Sequence, residues 1–181
     1  FCPTPCISWM VKESPACAGI MITASHNPHE WNGIKFKEDY GGSASPEYTQ
    51  AVEAQVDKND AVGRVIQKTS APIKTFDPKK AYLSQLRSLL DMRSIEQSPY
   101  RVLYDSLYGS GGGFVQALLG DKVDEIHGEA DPTFGGLNPE PISQNLSELL
   151  ESMKSGDYGI GIATDGDADR IGAVDEHGRF V

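Results

Sequence analysis

No apolar run in this sequence approaches the ~20 residues that a membrane-spanning helix needs. A basic, apolar, small-residue leader is not apparent at the start either. Positive charge is scarce: 16 Lys and Arg stand against 26 Asp and Glu, a net charge of -10. That balance argues against nucleic-acid or anionic-membrane partners. It leaves a phosphorylated small molecule open, because local cations override the overall sign. Cysteine is sparse and odd in number, at Cys2, Cys6 and Cys17. No disulfide framework or second metal-binding pair follows from such a pattern, so all three are expected to be reduced packing residues of a cytoplasmic protein. There is no usable internal repeat and no low-complexity segment. What remains, 39% hydrophobic and 23% charged residues over 181 positions, is an ordinary globular composition, enough for one large domain or two small ones.

Two stretches carry the chemistry. The first runs from Gly19 to Lys37. Ile20-Met21-Ile22 reads as a buried strand, and it ends in Thr-Ala-Ser-His-Asn-Pro. Open α/β sheets place their ligand sites at such strand ends. Ser25 stands at the tip with His26 beside it, and Asn27-Pro28 turns the chain. Lys35 follows in a second short apolar run. A hydroxyl, an imidazole and an ammonium are thereby gathered near one strand end. The bland alternative is a polar turn with a solvated lysine; the sharper one is a nucleophilic or phosphorylated serine with acid and base neighbours.

The second stretch, Tyr158 to Asp175, repeats the plan. A strand-like run, Ile160 to Ala163, breaks into a tip bearing Asp165, Asp167 and Asp169, then Arg170. Carboxylates at alternate positions repel unless a cation sits among them, and hard oxygen ligands suit Mg2+ or Ca2+. An EF-hand is excluded. Asp165, Asp167, Asp169 and Glu176 occupy its positions 1, 3, 5 and 12, but the obligatory glycine position holds Arg170 and the flanks read as strands. An acidic surface loop without metal is the remaining alternative.

Thr23-Ala-Ser-His-Asn-Pro28 with Asn32-Gly-Ile-Lys35, followed by Asp165-Gly-Asp-Ala-Asp-Arg170, resembles the α-D-phosphohexomutases: the phosphoglucomutases, phosphomannomutases and phosphoglucosamine mutases. The resemblance implies a phosphoserine at Ser25. It implies Mg2+ held by Asp165, Asp167, Asp169 and an oxygen of the Ser25 phosphate. Family members move phosphate between C1 and C6 of a hexose through a bisphosphorylated sugar, so a glucose or mannose phosphate is the expected partner. Full-length members have four consecutive domains, and this sequence resembles the later part of the first and most of the second. Both ends, Phe1 and Val181, read as cuts. The sugar-recognition and distal phosphate loops lie outside the match, and the fragment alone is expected to be inactive. A non-catalytic module that binds magnesium or phosphate, and a phosphosugar phosphatase, are the alternatives. Exposed neighbour-facing surfaces would favour a dimer by exchange of segments. Lys35 and His26 share the acid and base work in an order the sequence leaves open, and Arg170 steadies a phosphate oxygen or orients a carboxylate.

The rest of the chain supplies scaffold. Residues 1–70 read as the later part of an incomplete α/β domain, and 71–181 as a second one with the metal-binding loop. Thr4 is the expected cap of a short helix ending at Lys12, and Ser45 that of a helix over Pro46 to Val56. Asp57 to Pro78 is the linker candidate. Asp77 caps an amphipathic helix carrying Tyr82, Leu83, Leu86, Leu89, Leu90 and, at its far end, Ile95. Strands are expected near Tyr100–Tyr104 and Val123–His127, and one helix over Ser143–Lys154. The Gly-rich Gly109–Phe114 stretch is either a phosphate cradle or a tight strand-to-helix turn. Helices alternating with strands predict a three-layer α/β/α unit, with a mainly parallel, mixed sheet and helices on both faces.

Overall fold

The computed structural model describes residues 1–61 and 72–181. The expected domain boundary between residues 70 and 71 lies outside those residues, as does the middle of the linker candidate.

Helix α1 (Thr4–Lys12) opens on the rigid Pro3 and carries Pro5 in its first turn, where a missing N–H costs nothing. It covers one face of a hairpin made of β1 (Ala18–Thr23) and β2 (Gly33–Glu38). The pairing is antiparallel, with Met21 opposite Lys35 and Thr23 opposite Gly33. The expectation of a buried first strand is corrected here: Ile20 and Ile22 are 58% and 67% exposed. In the period-2 geometry of a strand they point away from α1, onto the uncovered face. All three cysteines are free thiols, yet Cys6 is buried while Cys17 is exposed, so not all of them pack.

Helix α2 (Pro46–Ala61) starts as expected, with the Ser45 hydroxyl accepting the Tyr48 N–H at 3.1 Å. It does not stop at Val56. Residues 57–61 contain neither Gly nor Pro, so the linker candidate is helical at its beginning. Residues 72–78 carry no helix or strand.

Beyond them, α3 (Lys79–Leu89) begins after Pro78, and the Asp77 carboxylate accepts the Lys79 N–H. Ile95 is not on this helix. Asp91 accepts the N–H and hydroxyl of Ser94, capping a new helix, α4 (Met92–Gln97), and Leu90 is extended between the two. Then come β3 (Val102–Asp105), α5 (Phe114–Leu119), β4 (Val123–Ile126), α6 (Ser147–Met153), β5 (Ile160–Thr164) and β6 (Ile171–Val174). The expected helix over Ser143–Lys154 is split. Ser143–Asn145 form a separate 3-10 turn, and Leu146 leaves helical geometry at φ -108°, ψ 31°.

The sheet order is β4-β3-β5-β6, with β4, β3 and β5 parallel and β6 antiparallel at the edge. Successive residues of β3 face opposite layers. Leu103 packs with Leu146, Leu149 and Met153 around α6, and with Ala163 and Val174 from the sheet. Tyr104, pointing the other way, bonds the Thr164 hydroxyl at 2.7 Å beneath the turn that leads into α5. On that side the rings of Tyr82 (α3) and Phe114 (α5) meet at 6.3 Å, and Trp9 of α1 meets Tyr82 at 5.9 Å. The second unit is therefore the expected three-layer α/β/α, with α1 docked against its α3. Leu149 is fully buried in the α6 layer. Leu149→Ala is expected to cost about 2–5 kcal/mol of stability, read as a lower urea midpoint at unchanged slope.

Candidate active site

Three loops leave the carboxyl ends of β3, β4 and β5 at one edge of the sheet, where parallel sheets place ligands. The loop after β5 is tightly self-bonded. Asp165 Oδ1 accepts the backbone N–H groups of Asp169 and Arg170 at 2.9 and 3.1 Å, and the Ala168 N–H reaches the Asp165 carbonyl at 3.0 Å. The Gly166 N–H donates to the Pro139 carbonyl in the long loop over residues 128–141. This folding brings one oxygen from each of Asp165, Asp167 and Asp169 within 4.8 Å of the others. Asp165 and Asp167 are buried.

The serine turn meets this loop directly. Ser25 is in the left-handed region at φ 55°, with its N–H on Thr23 Oγ1 at 2.7 Å, and Ala168 across from it is left-handed at φ 54°. Non-glycine residues hold that conformation at a cost, of order 1–3 kcal/mol each, and only where surroundings enforce it. Contact is close enough that a Cβ on Gly166 would lie 2.6 Å from the Ser25 carbonyl oxygen, so only glycine fits there.

Lys35 ties the two together. Its Nζ donates to Asp167 Oδ2 and Asp169 Oδ2, both at 2.7 Å, and to Ser25 Oγ at 3.1 Å. Burial alone would lower the Lys35 pKa; the two carboxylates outweigh it and raise it above the ordinary lysine value. Burial likewise pushes Asp167 up, but the hydrogen bonds from Lys35 and Thr4 hold it below the usual carboxylate range. At Asp165 the relieving bonds from the Arg170 and Asp169 N–H groups are outweighed. Burial and the neighbouring charges of Asp167 and Asp169 raise it. Its Oδ2 is buried without a hydrogen-bond partner, as is Asp167 Oδ1. The Arg170 guanidinium, about half exposed, comes no nearer to Asp165 Oδ2 than 4.0 Å. Two buried, partnerless carboxylate oxygens beside a third carboxylate are what a hard divalent cation would satisfy, and the residues fit one.

Ser25, Lys35, Asp165, Asp167 and Asp169 are thus brought together, with Arg170 at the rim. His26 is adjacent to Ser25 in sequence, but its ring makes no hydrogen bond to any of them, and its Nδ1 is buried without a partner. A cleft of about 410 Å³ opens beside Ser25 and Lys35, walled by Trp31 and Asn32. A second, of about 540 Å³, runs from Thr23 past Tyr108 and Phe134 to Asp167.

Thr4 is a site residue that the sequence alone misassigns. It is not the cap of α1, a place taken by Pro3, but the first helical residue, and its hydroxyl donates to Asp167 Oδ2 at 2.6 Å. No local signal marks this contact; only the Pro-Thr-Pro setting hints at a threonine held rigid. The Gly-rich turn resolves toward packing. The Gly113 N–H at the mouth of α5 is occupied by the Glu125 carboxylate at 2.9 and 3.1 Å, so the anion there is the protein's own.

Comparison with known proteins agrees with this layout. Residues 1–63 match the model of phosphoglucomutase/phosphomannomutase alpha/beta/alpha domain I, and residues 80–178 that of domain II. A protein of Methanothermobacter thermautotrophicus named as a phosphoglucosamine mutase is 35% identical over 99% of this chain. A phosphoglucomutase/phosphomannomutase of Thermococcus kodakarensis is also 35% identical over 99% of it. The chain spans 39% and 40% of those two relatives. A crystal structure described as a phosphomannomutase from Thermus thermophilus superposes with a TM-score of 0.89 at 35% identity, covering 99% of this chain and 41% of that one.

Proposed function

This chain belongs to the phosphoglucomutase/phosphomannomutase family, and from that premise we propose that it carries the phosphoryl-transfer half of a phosphohexomutase. Its longer parent would interconvert hexose 1-phosphate and hexose 6-phosphate through a phosphorylated Ser25 and a bisphosphorylated sugar. The observation that carries this reading is the single ammonium of Lys35 bonded at once to Ser25 Oγ and to two aspartates of the distant loop.

Phosphoryl transfer asks for positioning and charge neutralisation more than covalent assistance. Phosphate leaves Ser25 Oγ as that P–O bond breaks and a P–O bond to a sugar hydroxyl forms. The hydroxyl's proton passes to a base in the site, for which His26 is the remaining candidate, and Ser25 Oγ regains one. Lys35, 3.1 Å from Oγ, is placed to handle the latter. Arg170 steadies a phosphate oxygen from the rim. Asp165, Asp167 and Asp169, with an oxygen of the Ser25 phosphate, would hold Mg2+, which when bound offsets negative charge on the phosphate.

The sugar is glucose or mannose phosphate, or glucosamine phosphate as in the name of the Methanothermobacter relative. We divide the chain at residues 1–70 and 71–181 and place it in the cytoplasm; among the described residues no helix is long and apolar enough to cross a membrane. The uncovered hairpin face with Ile20, Ile22 and Ile34 is assigned to packing against further domains of the parent or, by exchange of segments, against a second copy.

Intact mass spectrometry with peptide mapping tests the reading. One phosphate on the peptide containing Ser25 is expected after incubation with a hexose bisphosphate, and phosphate found only elsewhere would remove Ser25 from its role. In a coupled assay the 181-residue chain alone is expected to show negligible glucose 1-phosphate conversion. Robust conversion would show that the remaining domains are dispensable. Stoichiometric release of inorganic phosphate would point to a phosphatase instead.

A further inference from the structure

Thr4 is 1% exposed, and both its donors go to one residue 163 positions away. Its hydroxyl reaches Asp167 Oδ2 at 2.6 Å, and its N–H reaches the Asp167 carbonyl at 2.8 Å. The N–H is one of the first amides of α1, which no intrahelical carbonyl can satisfy. A carbonyl from the aspartate loop takes that place, so the loop is seated on the end of the helix.

The hydroxyl does something more specific. A carboxylate turns easily about its last side-chain bond. Thr4 Oγ1 and Lys35 Nζ both donate to Oδ2, which fixes that oxygen and leaves Oδ1 buried without a partner. Oδ1 is thereby the oxygen of Asp167 left free to bind a cation. Lys35 Nζ is shared with Ser25 and Asp169, whereas the buried Thr4 hydroxyl gives its one proton to Asp167.

We propose that Thr4 is a positioning residue that selects which oxygen of Asp167 is presented and holds the aspartate loop against α1. The inference rests on reading Asp167 as a metal ligand, and partners of ligands typically change metal affinity by about 10–100-fold when lost.

The test compares Thr4→Val, which keeps shape and removes the hydroxyl, with Thr4→Ser, which restores it. Mn2+ titration followed by electron paramagnetic resonance is expected to show affinity weakened about tenfold or more in Thr4→Val and close to the parent in Thr4→Ser. Amide hydrogen exchange at residues 166–170 is expected to quicken in Thr4→Val and not in Thr4→Ser. Should Thr4→Val fail to fold, Thr4→Ala takes its place. Unchanged Mn2+ affinity together with unchanged exchange in the hydroxyl-free variant overturns the proposal. Equal weakening in Thr4→Ser overturns it too, because packing rather than the hydroxyl would be responsible. If the unsubstituted chain binds no Mn2+, the metal reading fails, and loop exchange alone decides the role of Thr4.

Discussion

Replacing Ser25 with alanine is expected to remove hexose phosphate turnover from any longer chain carrying these residues, by roughly 10⁴-fold or more. The size follows from the absence of a substitute among the described residues. Lys35 Nζ contacts one hydroxyl, that of Ser25, and the same ammonium bonds two aspartates of the loop. Thr23 is already used, its hydroxyl accepting the Ser25 N–H. The fold should hardly notice the change, since Ser25 Oγ only accepts one bond from a lysine that keeps two carboxylate partners. A coupled assay on the Ser25→Ala variant of such a chain, beside its thermal melt, checks both halves. Turnover near that of the unsubstituted chain would show that phosphate is carried elsewhere.

The second large effect concerns Asp165, and its sign differs between two measurements. Asn is the same shape as Asp. Its side-chain oxygen can keep the bonds from the Asp169 and Arg170 N–H groups, so the loop should persist. What goes is a buried charge with no hydrogen bond on Oδ2 and two like charges beside it. Without divalent cation, Asp165→Asn is therefore expected to stabilise the chain. With cation, it removes a ligand oxygen and should weaken binding by about 3 kcal/mol or more, a hundredfold or more in affinity. Urea midpoints with EDTA and with Mg2+ would display the crossing. A variant less stable than its parent under both conditions would mean that Asp165 is a structural residue and not a ligand.

How much of this was readable in advance depended on how local each cause is. The aspartate loop was legible because mutual repulsion of carboxylates at alternate positions is a property of six consecutive residues. The parallel sheet was legible because apolar strands and amphipathic helices alternate from Lys79 onward. Helix ends were read less well, through a capping side chain in one case and a local break in backbone geometry in another. Asp91 ended α3 by capping α4, and Leu146 broke the run that leads into α6. Strand exposure was misread at Ile20 and Ile22 because an apolar run reports what a strand could bury, not whether a second layer is present. Thr4 was misassigned for the opposite reason: its local setting suits a helix cap, and its partner is 163 residues distant. The ring of His26, the residue after Ser25, makes no hydrogen bond to Ser25, Lys35 or the aspartates, an orientation that no local sequence pattern specifies.

The contact of Lys35 with Asp167 spans 132 positions and joins residues that match two separate domain models. Covalent continuity accordingly sets the local concentration of one corner around the other, a quantity typically in the millimolar range for tethered partners. Supplied as two polypeptides, the same corners would meet only by diffusion, and cation binding would become second order in protein. Dilution would then switch off a site that, in one chain, is indifferent to it.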